Sequence, residues 1–70
     1  MNLRAIRRLI AKGHGLRQAD VQVRWTQRPR TLEYRDGNGT YQTAKVLVTA
    51  PGFSSREMIV QEDEDSLMTR

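Results

Sequence analysis

The chain has 70 residues, which is enough for one small domain with a single modest hydrophobic core. It contains no cysteine, which excludes disulfide bonds and thiolate metal sites and favours a reducing, cytoplasmic setting. Its 12 Lys and Arg residues against 8 Asp and Glu residues give a net charge of +4, a balance that suits an acidic partner.

The charge is divided between the two halves of the chain. Residues 1–35 carry nine basic and two acidic side chains, a net charge of +7. Residues 36–70 carry three basic and six acidic side chains, a net charge of −3. Such a division produces a field that guides association rather than folding, so it indicates a binding function for the first half.

The first predicted element is an amphipathic helix over residues 2–12. Asn2 can cap its start, and Gly13 can end it in the left-handed conformation. Basic residues interrupt every apolar run near the N-terminus, so we expect neither a membrane helix nor an export signal, and no membrane partner. The apolar residues that recur at the helical period are Leu3, Ile6, Leu9 and Ile10.

Two strands are predicted next. Val21, Val23 and Trp25 alternate with polar residues, which is typical of a half-buried strand. The sequence 28–30, Arg-Pro-Arg, should interrupt this strand because proline lacks the backbone N–H that a ladder requires. A second strand is therefore expected over residues 31–35.

A hairpin follows, because residues 36–39 read Asp-Gly-Asn-Gly between two strand-like runs. It places Tyr34 opposite Tyr41 and leads into a third strand over residues 40–49. Tyr41 and Leu47 are out of phase with the other apolar residues of that strand. This conflict predicts either a bulge near Thr43 or Ala44 or burial of both faces of the strand.

Pro51 and Gly52 turn the chain into a shorter fourth strand over residues 56–61. The sequence therefore predicts an α+β fold, in which the N-terminal amphipathic helix packs on a small, mostly antiparallel sheet of three or four strands. Residues 1–61 form the single domain of this interpretation. Residues 62–70 are interpreted as a flexible acidic C-terminal tail.

The residues that could support catalysis do not form a recognisable set. His14 is the single histidine and lies between two glycines, with no acid-base partner at a suggestive spacing. Ser54 and Ser55 lack a nucleophile motif, and the acids at 62–65 are consecutive rather than alternating. We therefore expect a protein that is not an enzyme and has no cofactor and no metal site.

Arginine is the residue type that points to a function. Ten of the basic residues are Arg, whose planar guanidinium makes bidentate contacts to phosphate, although arginine-rich composition can also reflect the genome. Trp25 lies among these residues and is either a base-stacking platform or a core residue. The predicted binding residues are Arg4, Arg7, Arg8, Lys12, Arg24, Arg28, Arg30 and Arg35.

Two functions remain open at this point. The first is nucleic-acid binding, chiefly through phosphate contacts. The second is protein–protein interaction, in which an adaptor or stoichiometric inhibitor docks on an acidic partner or adds a strand to it. A nucleic-acid binder should keep its arginines on one surface, whereas an adaptor should show an apolar anchor among them. The acids at 62–65 could shield the arginine face, pair with a second copy in a homodimer, or serve solubility.

Overall fold

The computed structural model describes residues 1–64 and 66–70. One helix lies on one side of a four-stranded antiparallel sheet, which confirms the predicted α+β fold. The strands follow the order β1-β2-β3-β4, so each pairs with its neighbour in sequence. The elements are helix α1 (Leu3–His14), a short 3-10 turn (Gln18–Asp20), and strands β1 (Gln22–Glu33), β2 (Thr40–Ala50), β3 (Phe53–Glu62) and β4 (Leu67–Thr69).

Helix α1 is fixed at both ends by local hydrogen bonds. The Asn2 side chain accepts a hydrogen bond from the Ala5 N–H at 2.8 Å, as the predicted N-cap requires. The C-terminus differs from the prediction, because the helix continues through Gly13 and ends at His14. Gly15 adopts the left-handed conformation at φ 65° and terminates the helix.

The core lies between α1 and the sheet. Ile6 and Ile10 on α1 face Val46, Val48 and Val60 of the sheet, and all five are almost fully buried. Because α1 contacts both β1 and β4, it lies across the sheet and covers one face of all four strands. In the described part of the chain no helix is long and apolar enough to cross a membrane.

Strand β1 is continuous where two strands were predicted. Thr26 is an extra residue in the register between Trp25 and Gln27, and Arg28 and Pro29 together oppose a single residue of β2. Since β1 is an edge strand, the missing N–H of Pro29 is tolerated there. The prediction of a break at 28–30 was therefore wrong, because bulges accommodate the proline without ending the strand.

The phase conflict in the third strand reflects apolar residues on both faces of the strand rather than a bulge in it. β2 pairs with β3 without a register shift from Gln42 to Val48, so β2 itself is regular at Thr43 and Ala44. The extra residues lie on β1, opposite this part of β2. Tyr41 and Leu47 are half-buried on the side of the sheet that faces away from α1.

The predicted hairpin is present, but the residue opposite Tyr41 is Leu32 rather than Tyr34, so the predicted pairing was wrong. The rings of Tyr34 and Tyr41 are in contact, with 4.9 Å between centroids. The segment expected to be a flexible tail is more ordered than that interpretation allows. Residues 67–69 form β4 and pair with β3 from Val60 to Glu62. Of the four predicted tail acids, Asp65 lies outside the described residues.

Candidate functional site

The predicted binding residues do not lie on one surface. Arg4, Arg8 and Lys12 are exposed on α1, which covers one side of the sheet. Arg24 and Arg30 are exposed on the opposite side, because Arg24 pairs with Leu47 and Arg30 pairs with Thr43 in the register. Arg28 and Arg35 are exposed in the bulged part of β1 and in the hairpin. The sheet therefore separates the arginines of the helix from those of the strand.

Arg7 differs from its neighbours on α1. It follows Leu3 by one helical turn, so its side chain lies at the margin of the core beside β1 and is half-buried. Its Nε is buried and has no hydrogen-bond acceptor among the described residues. A buried donor without an acceptor is costly, which distinguishes Arg7 from the exposed Arg4 and Arg8.

Trp25 is part of the helix side of the sheet. It pairs with Val46 in the register, is half-buried, and packs against the buried cluster. Of the two interpretations of Trp25 from the sequence, a stacking platform or a core residue, this placement agrees with the core residue. The indole ring is the largest side chain at the β1 margin of the core, so it supports the fold near the edge strand.

The side of the sheet away from α1 is called the open face below, because no described element covers it. Leu47 on β2 is half-buried there, and Ile59 and Met68 are each 41% exposed. Lys45 lies beside them, two residues from Leu47 on β2 and opposite Ile59 in the register. Diagonal neighbours on adjacent strands are within reach of each other, so Leu47, Ile59 and Met68 form one apolar stripe across three strands.

Arginine and lysine residues border this apolar stripe. Arg24 is opposite Leu47, and Lys45 is opposite Ile59. On β3, the residue opposite Leu47 is the acidic Glu57. None of these three charged residues forms an ion pair with another residue in the ranges 1–64 and 66–70, so their charges remain available to a partner.

Two of the acids near the C-terminus have structural partners. Glu62 lies 2.9 Å from the α-amine of Met1, and Asp63 accepts a hydrogen bond from the Tyr34 hydroxyl at 3.0 Å. Partial burial and the Asp63 carboxylate raise the pKa of the Tyr34 phenol above its usual value of 10.0, because both disfavour the phenolate. The Glu62 contact joins the N-terminus to the end of β3 on the helix side, whereas the Asp63 contact joins the residue after β3 to the hairpin.

The catalytic candidates of the sequence are scattered. His14 is exposed at the end of α1, where its ring contacts Phe53 edge-on at 5.4 Å. Ser54 and Ser55 are exposed near the start of β3. Within the described residues, no group of three or more His, Asp or Glu side chains is placed to hold a metal ion.

Sequence reasoning missed the apolar part of this candidate site. Leu47, Ile59, Met68 and Lys45 were not among the predicted binding residues. The signal that could have found them was the phase conflict at Leu47, because an apolar residue out of phase with the core faces the other side of the strand.

No known family model matches the chain, and neither a curated protein nor a solved structure matches it significantly.

Proposed function

We propose that this protein is a non-enzymatic interaction module that binds an acidic protein partner through the open face of its sheet. One observation carries the proposal: Leu47 and Ile59 form an uncovered apolar stripe that Arg24 and Lys45 border. Protein interfaces combine an apolar centre with charged surroundings, and arginine is enriched in them. The apolar residues supply contact area, and the cations select a partner of opposite charge.

The separation of the arginines supports this choice over a nucleic-acid surface. A protein that tracks a phosphate backbone needs its cations along one continuous path. Here the sheet lies between Arg8 on α1 and Arg24 on the open face. The open-face cations therefore act together with apolar neighbours rather than with the cations of the helix.

The proposal can be tested by selecting binders from a displayed library of random peptides against the immobilised protein. We expect enrichment of peptides that combine Asp or Glu with aliphatic residues. Ile59→Glu and Lys45→Glu should each lower the affinity for the selected peptides by about fivefold or more. Loss of one such contact costs roughly 1 kcal/mol, which corresponds to that factor. Arg8→Glu on the helix is the matched control and should leave affinity unchanged.

Two results would contradict the proposal. One is the absence of acidic enrichment among the selected peptides. The other is equal binding by wild type and the two open-face variants. Either result would remove the open face as the contact surface.

Nucleic-acid binding is the second candidate, and the exposed row of Arg4, Arg8 and Lys12 favours it. These residues form no ion pair with the described residues, so they could contact successive phosphates. Titration with single-stranded DNA, duplex DNA and RNA at about 50 and 200 mM salt tests this function, because phosphate contacts weaken steeply over that range. Binding that Arg8→Glu removes and Ile59→Glu preserves would assign the function to the helix.

A further inference from the structure

The free edge of β1 is the feature that carries a further inference. In the described part of the chain β1 pairs with β2 alone, so its other edge presents backbone donors and acceptors that no strand uses. From Gln22 to Trp25 the register with β2 is unbroken. A regular, unpaired strand edge is a template on which an extended segment of another chain can form hydrogen bonds.

Arginines lie on both sides of this edge segment. On the helix side, Arg4 and Arg7 line a groove of about 420 Å³ together with Leu3, and the groove reaches Gln22 and Val23. On the open face, a second groove at the same two β1 residues is lined by Arg24, Leu47 and Thr49. The two grooves therefore meet along the backbone of β1 at Gln22 and Val23.

This arrangement matches the geometry of an added strand. Successive side chains of a strand point to opposite faces of the sheet, so those of a fifth strand would enter the two grooves alternately. In one groove they would meet Arg4 and Arg7, and in the other they would meet Arg24. Carboxylates are the side chains that pair best with guanidinium groups.

A second copy of this chain fits the edge poorly. Strand β1 carries Arg24, Arg28 and Arg30 but a single acid, Glu33. Pairing of two β1 strands would place strands of like charge side by side, which is destabilising. Beyond Trp25 the bulges and Pro29 interrupt the regular edge, so the pairing site is confined to its first residues.

We infer that the β1 edge from Gln22 to Trp25 binds an extended acidic segment of a partner protein as a fifth antiparallel or parallel strand. The backbone of that segment pairs with β1, and its carboxylates contact Arg24 on one side and Arg4 and Arg7 on the other. This inference rests on the proposed function, because it takes the partner to be an acidic protein. It adds the mode of binding and a contact site beside the open face.

The test uses a short synthetic peptide with four successive glutamates between valines, so that carboxylates point to both faces of the added strand. It is titrated into the intact protein and followed by amide NMR. We expect the largest shifts at Gln22 to Trp25 and an affinity that falls between about 50 and 200 mM salt. The same peptide with lysine in place of glutamate should not bind. N-methylation of alternate residues on the pairing edge should weaken binding about tenfold or more, because it removes the backbone donors.

Variants of the protein locate the charge contacts. Arg4→Glu and Arg24→Glu should each lower the affinity for the peptide by about fivefold, since both residues are exposed beside the edge. Arg35→Glu makes the same charge change in the hairpin, at the other end of β1, and should leave binding unchanged.

Failure of strand addition can be told apart from failure of the proposed function. Absence of peptide binding at the lower salt, or binding that N-methylation leaves intact, overturns strand addition. If binding persists after N-methylation but is lost in Ile59→Glu, the partner is held by the open face and the proposed function stands. Loss of acidic peptide selection altogether overturns both.

Discussion

The helix C-terminus provides a sharp test of the structure, because two nearby glycines should respond to alanine in opposite directions. Gly15 lies in the left-handed region at φ 65°, ψ 30°. Its N–H and the N–H of Leu16, at 2.9 Å, both donate to the carbonyl oxygen of Ala11. Gly13 lies inside the helix, and a Cβ added to it would meet nothing within 4 Å.

The magnitudes follow from these conformations. Gly15→Ala should lower the free energy of unfolding by about 1 to 2 kcal/mol, because a Cβ is strained in the left-handed region. Gly13→Ala should raise it by about 0.5 to 1 kcal/mol, because alanine restricts the unfolded chain and favours the helix. The two variants should therefore differ by about 1.5 to 3 kcal/mol.

Urea and thermal unfolding followed by far-ultraviolet circular dichroism measure this difference. In a domain of this size 1 kcal/mol corresponds to a shift of about 4 to 8 °C in Tm, so the separation is easily resolved. The sequence alone predicted that Gly13 ends the helix. If Gly13→Ala destabilised the protein and Gly15→Ala did not, that prediction would be right and the C-terminus described here would be wrong.

Two further predictions concern the core and the hairpin end of the open face. Ile6→Ala should lower the free energy of unfolding by about 2 to 5 kcal/mol, because Ile6 is 0% exposed. Ile59→Ala should change it by less than about 1 kcal/mol in the same urea assay, because Ile59 is exposed. Equal losses in the two variants would contradict the assigned faces. The raised pKa of Tyr34 contributes stability that is present below pH 10.0 and is lost as the pH rises through the raised value. In Tyr41→Phe, tyrosinate absorbance should therefore titrate with a midpoint above 10.0, and adding Asp63→Asn should lower it; a midpoint at or below 10.0 would refute the contact.

Local chemistry made much of the fold predictable. The helix follows from the spacing of Ile6 and Ile10, and both are buried as that period requires. The hairpin follows from two glycines, Gly37 and Gly39, which both adopt positive φ. In each case the residues that determine the element lie within the element itself, so no long-range information was needed.

The errors arose where the outcome depended on a neighbouring strand. Pro29 would have ended a central strand, but the free edge and the bulges of β1 tolerate it. The acidic residues near the C-terminus look disordered in isolation, yet Leu67 pairs with Glu62 in the sheet. A pattern read along the chain does not reveal which edge is free or which segment will find a partner.

The candidate site was least predictable because it depends on which face of each element is covered. The helical wheel placed Arg7 with the other basic residues, but the position of α1 over β1 half-buries it. Arg24 belongs to the predicted set and to the site described here, although its neighbours are different. Leu47, rather than an arginine of the helix, is the residue opposite it.

A single cause accounts for both proposed contact surfaces. One 12-residue helix can cover one face of a four-stranded sheet, so the other face and the long edge of β1 have no covering element among the described residues. Exposed apolar residues and free edges normally promote self-association. Here Arg24, Arg30 and Lys45 lie beside them and outnumber Glu57, so two copies would bring like charges together. The same charges that oppose self-association favour an acidic segment, so the surface discriminates between its own copies and a partner of opposite charge.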